Sequence, residues 1–194
     1  MNRMMLADVF LALIARALGG CVYSIHRLDD GTNGVVDSGL AGRWGTQDEA
    51  GKQPSMTIRA LKQAYEVDFT DPDKNRTLRY EANLVRIDKW VFADLRLDGE
   101  VEADGSTQDL PFGALAVHMF LKVSVEGDTL KMWTMSHDWL RVQFIEKKIT
   151  LAHDDLDIFT ILLTAPTPQL QDFLRKAATT SDAFGEPFIF TRKK

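Results

Sequence analysis

The side chains best suited to bind a metal or move a proton are four histidines, His26, His118, His137 and His153, and the carboxylates near them. His118 lies within an alternating apolar and polar segment, His137 is followed by Asp138, and His153 by Asp154 and Asp155. His118, His137 and His153 with their acidic neighbours are therefore a candidate polar site for a hydrolase or a zinc ion. No pair has the close i, i+4 or i, i+2 spacing that turns two imidazoles toward one ion, so no metal and no cofactor is expected. Asp71-Pro72-Asp73-Lys74-Asn75 begins like a calcium loop. Its sixth position is Arg76 where the loop needs glycine, and its twelfth is Ala82 where a bidentate carboxylate belongs, so a turn is expected instead. The run Asp98, Glu100, Glu102, Asp104 alternates like the edge of a solvated hairpin, where like charge discourages edge-to-edge pairing. The sequence holds no G-x-S-x-G, no H-E-x-x-H, no P-loop and no G-x-G-x-x-G, and no catalytic residue is assigned.

The remaining reactive group is a single cysteine, Cys21. One thiol cannot staple its own domain, so its role must be modification, pairing with another molecule, or a free thiol. Met1-Asn2-Arg3 supplies a small positive region, Val9 to Ala15 an apolar stretch, and Leu18-Gly19-Gly20 leads directly into Cys21. That order matches an export signal, although Asp8 and Arg16 interrupt it, and the other reading of the segment is an amphipathic helix with a buried cysteine. LGGC resembles the lipobox of bacterial lipoproteins. The resemblance implies that the Cys21 thiol is acylated, that the chain is cut just before it, and that the lipid bilayer is a partner. Because Val22 is not an acidic retention residue, it also implies the outer membrane facing the periplasm. Residues 1–20 are then the signal, and residues 21–38 a lipidated N-terminus and tether, since Ser24 to Ser38 is rich in Asp, Gly, Asn and Ser with little periodicity. Residues 39–194 form the domain.

The elements that must position these groups are mainly strands. With 194 residues, 45% hydrophobic and 26% charged, the chain suits one globular domain after the N-terminal segment. A net charge of -5 leaves no electrostatic footprint for nucleic acid. No apolar stretch approaches the ~20 residues a spanning helix needs. From Leu40 onward the dominant period is two. Tyr65, Val67 and Phe69 share one face, Thr77 to Ile87 and Trp90 to Leu97 make a pair, and Asp98 to Asp109 reads as an acidic loop. The clearest hairpin joins Val117–Val125 to Thr129–Met135 through Glu126-Gly127-Asp128. Asp138 to Lys148 predicts a short helix with Trp139, Val142 and Ile145 inward. Pro168 to Thr179 predicts a longer one, capped by Thr167, with Leu170, Phe173, Leu174 and Ala177 inward. Asp157 to Thr164 reads as a strand covered on both faces, and Phe188 to Arg192 as the last strand. The aromatic residues Trp90, Phe92, Phe120 and Trp133 fall opposite the cleanest apolar rows, either beneath a helix or as an exposed patch.

Gly42-Arg43-Trp44 resembles the Gly-x-Trp signature of lipocalin-like (calycin) barrels. The resemblance implies that Trp44 plugs one end of the barrel and that a late arginine, here Arg192, lies across it as the barrel-closing partner. Residues 110–192 are also similar to bacterial lipoproteins without an assigned activity. The expected fold is therefore mainly β: a single antiparallel lipocalin-like β-barrel with one short and one longer helix late in the chain. The leading functional expectation is a non-enzymatic envelope lipoprotein that binds an apolar or amphipathic small molecule, or an envelope protein. The alternatives are a His/Asp hydrolase and a purely structural module whose barrel is filled solid.

Overall fold

The computed structural model describes residues 20–46, 54–71, 74–102, 104–109 and 116–194. The signal assigned to residues 1–20 lies outside these, save Gly20, as do Pro72 and Asp73 of the expected turn. In chain order the elements are β1 (Cys21–Ser24), β2 (Gly34–Val35), β3 (Gly42–Gly45), β4 (Ser55–Ala60), β5 (Tyr65–Asp71), β6 (Arg76–Ile87), β7 (Trp90–Val101), β8 (Thr107–Asp109), β9 (His118–Glu126) and β10 (Thr129–Thr134). Then follow α1 (His137–Ile145), β11 (His153–Asp157), β12 (Thr160–Leu163), α2 (Thr167–Ala177) and β13 (Phe188–Arg192).

Eight strands close a barrel. The ladder runs β9-β10-β13-β3-β4-β5-β6-β7, and β7 returns to β9, every pair antiparallel. Closure removes the unpaired edges that an open sheet would present. The alternation that predicts the strands also fills the barrel. Tyr65, Val67, Phe69, Leu78, Tyr80, Ala82, Leu84, Leu95, Leu121, Val123, Leu130 and Met132 point into one continuous buried cluster with Trp44 and Phe190. An eight-stranded barrel has an interior just wide enough for such side chains.

A second cluster lies against the barrel's outer wall. Leu170, Phe173, Leu174 and Ala177 of α2 recur at helical spacing and cover Val85, Ile87, Phe92 and Phe120, so two of the four aromatic residues opposite the interior rows are buried beneath a helix, and Trp90 and Trp133 pack at the margin. Among the described residues no helix is long and apolar enough to cross a membrane.

Several expected details are corrected. Residues 21–38 do not hang free. β1 pairs parallel to β12 and touches β9 at Ser24↔His118, β2 pairs with β6, and Leu28 is fully buried. The strand expected over Asp157 to Thr164 is β12 with Ile161 to Leu163 buried, but it begins only at Thr160, because the Asp157 carboxylate accepts the Phe159 N–H at 2.7 Å and turns the chain between β11 and β12. The loop expected from Asp98 to Asp109 is largely paired. β7 continues past a bulge at Asp98 and β8 folds back on it, with Gly99 so close to the Gln108 carbonyl that a Cβ would stand 2.2 Å from it. α1 turns Leu140 inward and leaves Val142 and Ile145 exposed, because its chain entry is fixed by the Ser136 hydroxyl accepting the Trp139 N–H. In α2, Pro166 rather than Thr167 is the capping residue, and the Thr167 hydroxyl instead donates to the Arg27 carbonyl at 2.7 Å.

Candidate functional site

The closing seam joins β3 to β13, with Trp44 directly opposite Arg192. Trp44 is fully buried, and its indole N–H donates to the Leu40 carbonyl at 2.9 Å. The Arg192 guanidinium lies 4.3 Å from the centre of that indole and donates to the carbonyls of Ala41 at 2.8 Å and Gly39 at 2.5 Å. Gly42 leaves room for that guanidinium. Its φ is +143°, and a Cβ there would stand 2.3 Å from Arg192 Nη1. The Gly-x-Trp spacing therefore places a glycine under the arginine and an indole beside it, at the β3–β13 seam that closes the barrel. Nearby, the buried Tyr65 hydroxyl accepts from the Asp37 N–H at 2.7 Å and donates to the Asp37 carbonyl at 3.0 Å, which pins the incoming chain beside the seam.

The histidines go separate ways. His118 Nδ1 is 2.6 Å from Oδ1 of the buried Asp94 across the β7–β9 seam. The other Asp94 oxygen accepts the Leu28 N–H at 2.7 Å. Ser24, the ladder partner of His118, is fully buried, and its hydroxyl donates to the His26 carbonyl at 2.8 Å. A serine, a histidine and an aspartate thus meet in one region, but the hydroxyl is turned into a local loop and the carboxylate ties down Leu28. The group works as a clamp that holds residues 24–28 on the barrel wall. His137 begins α1, is 1% exposed, and has its Nδ1 3.1 Å from Asp138. Gly20 rests on its ring so closely that a Cβ would lie 2.4 Å from Cγ. His153 Nδ1 donates to the Leu151 carbonyl at 2.8 Å, and the ring stacks on Phe144, ring centres 3.6 Å apart. Among the described residues no three His, Cys, Asp or Glu side chains gather where a metal ion could sit.

Two charged groups lie on the barrel's outer wall. Burial raises the Asp68 carboxyl, but hydrogen bonds from Arg79 and Arg59 outweigh it and hold the group below its ordinary value. Lys122 lies 5.0 Å from Trp90, 4.8 Å from Trp133 and 4.7 Å from Phe184, and burial lowers its pKa. The ammonium there is held by ring faces, an attraction that grows as water is excluded.

Two cavities adjoin the helices. The first is a crevice beside Cys21, lined by Val22, Met119, Met135, Leu163, Phe173 and Leu174, of about 30 Å³. That is enough for water and too small for a ligand. The second is an open cleft between α1 and α2, of about 530 Å³, with Trp139, Ile149, Leu151 and Phe173 on its walls and Gln143, Lys148, Asp172 and Lys176 around them. Its size and its mixture of aromatic wall and sparse polar groups suit a small amphipathic molecule. Sequence reading missed this cleft, since it depends on how two helices far apart in the chain pack together.

At the other side of Cys21 the surface is apolar. The Cys21 N–H donates to the Phe159 carbonyl at 2.6 Å, and Phe159 and Ile158 are exposed at the tip of the β11–β12 hairpin. No known protein family, curated protein or solved structure matches this chain.

Proposed function

We propose that the protein is a non-enzymatic lipoprotein of the bacterial envelope, held at the outer membrane by an acylated Cys21, that presents a solid barrel and a lateral cleft for an amphipathic molecule or an envelope partner. The observation that carries this reading is the place of Cys21. It is the first residue of β1, and its backbone N–H is bonded to the Phe159 carbonyl beside an exposed apolar hairpin tip. An N-acylated Cys21 keeps an amide N–H, so its bond to Phe159 survives processing.

The ligand reading rests on the α1–α2 cleft rather than on the barrel interior, which the continuous core of Trp44, Tyr65, Tyr80 and their neighbours occupies. The hydrolase reading is weaker, because among the described residues the nearby Ser24 hydroxyl donates to the His26 carbonyl rather than to His118. Fractionation tests the anchor. Wild type should sediment with membranes and Cys21→Ala should move to the soluble fraction, because one acyl chain alone binds only marginally and none binds less. Equal distribution of the two proteins would refute the anchor.

A further inference from the structure

One wall of the cleft between α1 and α2 is a single helix face. Gln169, Phe173, Lys176 and Thr180 follow one another at three- and four-residue steps along α2 and just beyond it, so they form one stripe down the cleft. Trp139 of α1 and Leu151, between α1 and β11, share the lining with the buried Phe173. The space is about 530 Å³, within the roughly 300–1,000 Å³ of small-molecule sites.

Counting partners leaves one charge over. Lys148 lies 2.7 Å from Glu146, and Asp172 is paired with Arg175. Lys176, one turn on from Asp172, has no ion pair among the described residues. The end of α2 does not need its ammonium, because the Lys176 carbonyl already accepts from the Thr179 hydroxyl at 2.8 Å and the Thr180 hydroxyl at 3.3 Å. The side-chain amides of Gln143 and Gln169 and the Thr150 hydroxyl, also on the lining, make no hydrogen bond among the described residues. An apolar wall therefore borders an unpaired ammonium and neutral donors, and the Asp172 carboxylate beside them is already neutralised.

We infer that this cleft binds a monoanionic amphiphile, a carboxylate on a short alkyl or aryl body, with the carboxylate on Lys176 and the body against Trp139 and Phe173. The inference rests on the reading of the cleft as a ligand site and adds the chemical class of the ligand. A cationic headgroup would meet an unpaired ammonium, since Arg175 engages the carboxylate on the lining. A second negative charge would find no second free cation, because Glu146 holds Lys148. A wholly apolar molecule would bury surface but leave the ammonium unpaired, so the headgroup supplies selectivity and the body the larger share of affinity.

Calorimetric titration of the full chain with octanoate, 1-octanol and octyltrimethylammonium, each below micelle formation, tests this. Octanoate should bind about two- to fivefold tighter than octanol, which is what one exposed ion pair contributes, and octyltrimethylammonium should bind more weakly than either. The margin should shrink with added salt, and Lys176→Gln should abolish it while leaving octanol unchanged. Gln169→Trp, which places an indole in the cleft from an exposed position of α2, should weaken octanoate and octanol together, and a thermal midpoint equal to that of wild type checks the fold. Equal binding of octanoate and octanol, a preference for the cation, or a margin that persists in Lys176→Gln overturns the inference while leaving the cleft a ligand site. Full octanoate binding to Gln169→Trp places the molecule elsewhere and overturns both, as does failure of all three probes to bind.

Discussion

Arg192→Ala should loosen the barrel at its closing seam, and the structure sets the size of the effect. The guanidinium makes two hydrogen bonds to backbone carbonyls, at 2.8 and 2.5 Å, and lies 4.3 Å from the Trp44 ring centre. Hydrogen bonds involving a charged group contribute about 1.5–3 kcal/mol each. The ring contact adds roughly 0.5–2 kcal/mol. The 3.2 Å contact with Asp128 adds little, since that carboxylate is 77% exposed. These contributions overlap, and water can replace part of them at a side chain 28% exposed, so the expected loss is about 2–4 kcal/mol, below the simple sum. In a chain of this length that corresponds to a fall in Tm of roughly 5–15 °C. Gly42→Ala should destabilise for a related reason, because its Cβ would meet Arg192 Nη1 at 2.3 Å on a backbone with φ of +143°. Removing Arg192 relieves the clash but not the backbone strain. The double variant should therefore be more stable than the two single losses predict, with a coupling of about 0.5–3 kcal/mol. Urea unfolding of the wild type, both single variants and the double variant measures all of this. Arg192→Ala within about 0.5 kcal/mol of wild type, or strict additivity in the cycle, would refute the seam as described.

Asp94→Ala leaves the Leu28 N–H without its buried acceptor, a loss of about 1–3 kcal/mol, and should speed hydrogen exchange at Leu28 and expose residues 24–35 to protease; unchanged exchange would exclude the clamp. Asp68 has a folded pKa held below its ordinary value, so its stabilisation is present above the unfolded pKa of ~3.9 and disappears as pH falls through the lower folded value. Urea midpoints followed from neutral pH into acid should fall more steeply for wild type than for Asp68→Asn, and parallel curves would contradict the assignment. Decanoate should quench or shift the tryptophan emission by entering the α1–α2 cleft, and Lys176→Glu should weaken that response; a response indifferent to Lys176 would place the molecule elsewhere.

The barrel was legible because its information is local. Alternation in Tyr65 to Phe69 and in Val117 to Val125 assigns the strands and their inward faces, and two-residue turns at Asp88-Lys89 and Gly127-Asp128 fix their pairing. The seam was legible for another reason, since the resemblance of Gly42-Arg43-Trp44 to the Gly-x-Trp signature implied a late arginine across the indole. What escaped the sequence depends on distant partners. Cys21–Ser24 is only four residues long and becomes a strand by pairing with Thr160–Leu163, near the far end of the chain. Leu28 is one apolar residue in a polar stretch, and its burial follows from a hydrogen bond to Asp94 that no local pattern announces. In Asp157 to Thr164 the apolar residues outweighed the one aspartate whose carboxylate makes the turn, so the strand that begins at Thr160 read three residues too long at its start. In α1 Trp139 packs inward as expected, but Val142 and Ile145 and the inward Leu140 both fit a helical period, and only the packing chooses between them. The candidate histidine site failed as a unit because its members sit on the barrel wall, at the start of α1 and on β11, each with a different neighbour.

Whether this is an anchored lipoprotein is decided most directly by the intact mass of the protein recovered in detergent from cell membranes. The account predicts a chain that begins at Cys21 and carries the added mass of two or three acyl groups, as stable anchoring requires. A chain that still begins at Met1 with an unmodified Cys21 thiol would contradict it.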